Sequence, residues 1–135
     1  MAFKFEKLEI WQLSLSLSKE IYSIIEQLPD EERFNLSSQV RRAVTSISLN
    51  IAEGSTSQTD PEQLRFLSYS HRSLMEVVAC LILMNEKDNL NPELYRTLYL
   101  DCEKLSAKIL AMRNSIRRKN VTNQVNDEVE NYGIN

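Results

Sequence analysis

The sequence predicts an all-α protein, an antiparallel up-down-up-down four-helix bundle, on three observations. Glycine and proline are scarce, at 2 and 3 residues in 135, where average usage would give about nine and about seven. Apolar residues recur at steps of three and four over long stretches. The few breakers stand at helix boundaries. An all-β sandwich or barrel needs a Gly- or Pro-bearing turn every ten residues or so, which this chain cannot supply. Gly54 and Gly133 are too far apart for a phosphate-binding loop or a dinucleotide fingerprint.

Each helix then follows in order. Pro29 ends the first, predicted near residues 7–28, and Asp30-Glu31-Glu32 follow as acids suited to a helix N-terminus. The second, near 36–53, closes at Gly54, the usual place for a C-terminal glycine. Asp60-Pro61-Glu62 and Asn91-Pro92-Glu93 repeat one device: a side chain caps free N–H groups, proline takes the first helical position and an acid follows. They open helices near 61–87 and 92–118. Leu64, Leu67, His71, Leu74, Val78 and Leu81 form the seam of the third; Leu94, Leu98, Cys102, Leu105, Ile109, Met112 and Ile116 form that of the fourth. Short connections favour antiparallel neighbours. Residues 1–120 thus read as the bundle, and 121–135 as a flexible acidic tail, rich in Asn and without period.

The first helix carries two apolar groups. Leu8, Trp11, Leu15 and Tyr22 share one side; Ile10, Leu13, Leu17, Ile21, Ile24 and Leu28 face another direction. Glu9, Gln12, Ser16, Lys19, Glu20 and Ser23 fill the remaining polar arc. One core covers one stripe, so the second group is expected at a subunit interface, the alternative being unusually deep burial within the monomer.

The net charge of -3 is local. Asp127, Glu128 and Glu130 are the only charges after residue 120, leaving 16 acids against 16 bases in the rest. A neutral body has no global field to attract nucleic acid. Lys104, Lys108, Arg113, Arg117, Arg118 and Lys119 nevertheless form an acid-free run, and Arg33, Arg41 and Arg42 stand in another acid-free stretch. These two patches are the candidate phosphate contacts; the competing reading is cations complementing a helix C-terminus. Beside the core stripe of the second helix runs a polar row, Gln39, Arg42, Ser46, Asn50 and Glu53, which reads as a structural network or as a ligand face.

Catalysis and cofactors find little footing. The lone His71 lies on an apolar seam, and Ser68, three residues before it, removes the Glu-x-x-His pairs of di-iron bundles. Cys80 and Cys102 read as buried thiols, with a redox pair across the hairpin as the alternative. Tyr95 and Tyr99 read as packing, and Ser14, Ser16 and Ser18 have no base beside them. The chain opens without a signal peptide, and its longest apolar run, Val77 to Met84, is too short to span a bilayer, so a cytoplasmic location is expected.

The run Ser38-Gln39-Val40-Arg41-Arg42-Ala43, continued by Ser46-Ile47 and Asn50-Ile51-Ala52-Glu53-Gly54, resembles the signature of the bacterial four-helix-bundle, or ribosomal RNA intervening-sequence, proteins. The resemblance extends through Phe5–Gln12, Leu28-Pro29, Arg65-Phe66-Leu67 and Ser73–Glu76, covering roughly residues 5–118. It departs at Ser48, where the family usually has proline, predicting a straighter second helix. It departs again at Arg72, where glycine is frequent, which counts against close helix approach there. The resemblance implies a bundle that assembles as a ring, most commonly a pentamer, without established activity. It also implies kinship with the accessory variability proteins of diversity-generating retroelements, hence RNA or DNA and a reverse transcriptase, or another protein, as partners. A self-assembling protein-interaction module without a nucleic-acid role is the competing expectation.

Overall fold

The computed structural model describes residues 1–33 and 35–131. A 3-10 turn, Lys4–Lys7, leads into α1 (Glu9–Gln27), and a single turn, α2 (Asp30–Arg33), precedes α3 (Leu36–Ser55). Then come α4 (Asp60–Glu86) and α5 (Pro92–Asn131). The four long helices close a square in which α1 packs on α3 and α5, and α4 packs on α3 and α5. Bonded pairs show the alternating directions: Ser14 meets Ser48 and Tyr22 meets Thr45 between α1 and α3, while Ser73 meets Ser46 and Ser70 meets Ile47 between α4 and α3. As one number rises the other falls, so neighbours run antiparallel.

The core follows the predicted seams in part: Leu67, Leu74 and Leu81 of α4 are buried while Leu64, His71 and Val78 are half-buried, and Val77 and Met84 join the core from outside the seam. Val40, Val44, Ile47, Leu74, Val77, Leu81, Leu98 and Ile109 are fully enclosed. Helix α4 is long and apolar enough to cross a bilayer by length and composition, but its Leu67, Leu74, Val77, Leu81 and Met84 are bundle core, and core helices pass the same test.

The second apolar group of α1 faces the core of its own monomer and not a subunit interface. Ile10, Leu17, Ile21, Ile24 and Leu28 are buried within the monomer, and Leu13 packs against the same core. Two neighbouring helices cover a wide arc of α1, so this stripe needs no subunit partner. The group assigned to the bundle is the more open one. Leu15 and Tyr22 are each 39% exposed, and Trp11 takes the ring of Phe5 edge-on at 4.6 Å.

Helix ends also differ from expectation. Thr59, one residue before Asp60, caps α4 by accepting from the Glu62 N–H at 3.3 Å. Asn91 caps α5 as predicted, its Oδ1 accepting from Glu93 and Leu94. At the end of α4, Asp88 takes a left-handed φ of 58°, and the Asn89 N–H returns to the Met84 carbonyl at 3.0 Å. Helix α5 does not stop near 118. Nothing between Pro92 and Gly133 breaks it, and adding a residue to an existing helix is far easier than starting one, so it runs on through the predicted tail to Asn131. Of that tail, 132–135 lie outside the described residues.

Gly54 is not a terminal glycine outside the helix. It sits in the last turn of α3, where a Cβ would come 2.9 Å from the Phe66 Cβ on α4. Ala at position 54 would force the helices apart, so Gly54→Ala should destabilise the fold by about 1 kcal/mol or more despite the better helix propensity, read as a lower urea midpoint.

Candidate functional site

Helix α3 turns Val40, Val44, Ile47 and Ile51 inward, and its polar row therefore lies along the edge of the bundle. The middle of that row is a network. Asn50 Nδ2 donates to the Ser46 carbonyl and hydroxyl at 2.9 and 3.0 Å, and Ser73 Oγ of α4 donates to Ser46 Oγ at 2.9 Å. The ends of the row, Gln39, Arg42 and Glu53, are exposed. Arg72 does not prevent close approach, because it points outward while Ser73 makes the contact.

Around this row lies an open groove of about 940 Å³, lined by Arg41, Arg42, Leu49 and Glu53 of α3 and by Ile25 and Glu26 of α1. A depression of about 450 Å³ continues from it past Ser46 and Asn50 to Tyr69, Arg72 and Glu76 of α4. Three guanidinium groups thus stand among three carboxylates. Arg41 and Arg42 are brought together as the sequence predicts, but in mixed-charge surroundings. The walls from α1 and α4 carry no sequence signal, because only tertiary packing brings them to α3.

The basic run of α5 divides. At about 100° per residue, Lys104, Lys108, Arg118 and Lys119 share one arc of the helix, and all four are exposed. Lys108 Nζ stands 3.5 Å from a Glu9 carboxylate oxygen of α1. Arg117 is exposed on another side, and Arg113 is half-buried with its Nε enclosed and unbonded. The side chain of Arg33 lies outside the described residues.

His71 is a half-buried residue whose Nε2 lies 2.8 Å from Ser106 Oγ on α5. Burial lowers its pKa, and the Arg113 charge lowers it further, so it is neutral at pH 7. Both cysteines are buried and free. Burial pushes the Cys102 thiol up to about 12 and raises Cys80 as well, so neither supplies a thiolate at neutral pH. Tyr95 and Tyr99 hold their rings 6.0 Å apart. Among the described residues, no group of three or more His, Cys, Asp or Glu could hold a metal ion.

Glu20 escapes the sequence reading, which puts it on the solvated arc of α1. Its Oε2 is enclosed and without a hydrogen-bond partner. Burial raises its pKa, and the Asp101 carboxylate of α5 raises it again. The signal was its place beside Leu17, Ile21 and Ile24 at the border of the core stripe.

A sequence model described as the 23S rRNA-intervening sequence protein matches residues 6–111. The chain belongs to the 23S rRNA-intervening sequence protein family. Among solved structures it is similar to a protein of unknown function from the S23 ribosomal protein family of Bacteroides thetaiotaomicron. The TM-score is 0.72 and the identity 22%, over 78% of this chain and 95% of that one, a likeness that shows the shared fold. No curated protein matches the chain. Neither the intervening-sequence protein family nor this neighbour indicates a catalytic activity.

The Glu20 shift makes a pH prediction. An acid with a raised folded-state pKa favours folding fully below its unfolded pKa, and that contribution is lost as pH rises through the folded value. Glu20→Gln should therefore stabilise the protein at pH 7, by about 0.5 kcal/mol given solvent screening. The gain should vanish in thermal melts at pH 3.5.

Proposed function

We propose that the protein is a non-catalytic, cytoplasmic helical-bundle scaffold that assembles with itself and carries a nucleic-acid backbone on α5. The observation that supports this reading is the shared arc of Lys104, Lys108, Arg118 and Lys119, within a stretch of α5 that holds no carboxylate. Four exposed cations along one side of a helix offer contacts to phosphate, with Lys108 having to leave its 3.5 Å pair with Glu9. A ring, of the pentameric kind that the resemblance implies, multiplies that surface in register. Arg113, half-buried with its Nε enclosed, and Arg117, on another side, contribute less. Arg41 and Arg42 share their groove with Glu26 and Glu53, which weakens them as phosphate contacts.

The mixed charge of the α3 groove favours a second reading, a self-assembling protein-interaction module without nucleic acid. A groove that offers both signs suits a protein segment better than a polyanion. A reverse transcriptase, the partner that the resemblance to accessory variability proteins implies, is one such candidate.

Binding to a structured RNA across a salt series separates the two. The first reading expects log K to fall linearly with log salt, and Lys104→Glu with Arg118→Glu to reduce the slope by about 2. Absence of binding at low salt defeats it and leaves the second. Light scattering should show a discrete oligomer; a monomer at micromolar concentration contradicts self-assembly.

A further inference from the structure

Helix α5 is 40 residues long against 27 for α4, so it extends about 20 Å past the bundle. Ile116 is its last side chain packed on the core. Beyond it the helix stands in solvent, with Val121 and Val125 at 57% and 52% exposure. Val121, Thr122, Asn123, Val125, Asn126 and Asp127 are weak helix formers, and a helix of such residues is marginal without tertiary cover. Val121, Val125 and Val129, four residues apart, form an apolar ridge along it.

The groove on α3 matches this ridge in charge and spacing. Arg42 and Glu53 lie eleven residues apart on one face of α3, and Arg117 and Glu128 lie eleven apart on one face of α5, each a separation of about 16 Å. None of the four makes an ion pair within the chain among the described residues. Laid antiparallel, the register that sets Glu128 against Arg42 also sets Arg117 against Glu53. The same register sets Val121 level with Leu49, which is 54% exposed, near the line joining the two ion pairs. Two ion pairs and one apolar contact between them thus fall out of one alignment.

We propose that the extension of α5 seats antiparallel in the α3 groove of a second copy, pairing Glu128 with Arg42 and Arg117 with Glu53. The occupant is another copy because α3 and α5 of one chain run in the same direction, both antiparallel to α4. The extension also leaves the bundle at the end where α3 stops, so folding back on its own α3 would require breaking the helix. With two copies end to end, each extension lies on the other's α3, and the contact is reciprocal about a two-fold axis. This adds to the self-assembly reading above and stands without the ring, which it would join in pairs.

Sedimentation equilibrium of the full chain at low salt tests it, beside Arg42→Glu, Glu128→Arg, the double variant and a chain ending at Lys119. All the altered positions are exposed, and circular dichroism checks that each variant folds. The wild type should form an even-numbered assembly. Either single reversal should weaken it about tenfold, and the double variant should restore it to within about threefold. The shortened chain should lose it. Unchanged association of the shortened chain, or a double variant no stronger than the singles, overturns the proposal. An odd-numbered ring indifferent to every change overturns this contact and leaves ring assembly standing. A wild type that stays monomeric overturns both, and nucleic acid binding lost only with Arg42→Glu assigns the groove to phosphate instead.

Discussion

The close seam between α3 and α4 governs the rest of the molecule. Gly54 lets the backbone of α3 come against Phe66, and the Ser70 hydroxyl donates to the Ile47 carbonyl at 2.9 Å in the interior. Ser73 and Ser46 join one turn away, and on the other flank Ser48 donates to Ser14, which donates to the Trp11 carbonyl. Buried hydroxyls must be paired, so each bond fixes a register that a purely apolar seam would leave free to slide. Ser48, standing where the family usually has proline, supplies the bond to α1. Held on both flanks, α3 has one face left for other contacts, the outer one that carries the groove.

Charge is organised around that frame. The body is neutral in sum, but α5 gathers four of its bases, Lys104, Lys108, Arg118 and Lys119, on one arc before its acidic end, while the α3 groove keeps both signs side by side. A segregated surface suits a polyanion, and a mixed one suits a segment with matching alternation. The Glu20–Asp101 pair is of a different kind. Two carboxylates meet between α1 and α5 where one is partly desolvated, a small destabilising element.

Much of the architecture was readable because the breakers are so few. Pro29, Pro61 and Pro92 each mark a helix boundary, and the middles of the predicted α4 and α5 seams, Leu67, Leu74, Leu81, Leu98, Cys102, Leu105 and Ile109, are buried. Gly54 was placed correctly along the chain but given the wrong cause, since a glycine needed for close packing and one needed for a left-handed cap look alike in sequence. Angular spacing found both stripes of α1 without saying which faces inward. That depends on how α3, α5 and the N-terminal turn wrap it. Composition suggested a tail where the helix continues, because Asn and Asp weaken a helix without stopping it. The residues of the polar row were visible; the walls of their groove from Glu26, Tyr69 and Glu76 were not, being distant in sequence.

Native-state hydrogen exchange addresses most directly whether α3 is the element on which the others depend. The amides of Val40 through Ile51 should be the slowest in the protein, opening only with global unfolding and showing the full denaturant dependence of that transition. Slower exchange in α1 or α5, with α3 opening through a lower-energy local event, would contradict that dependence.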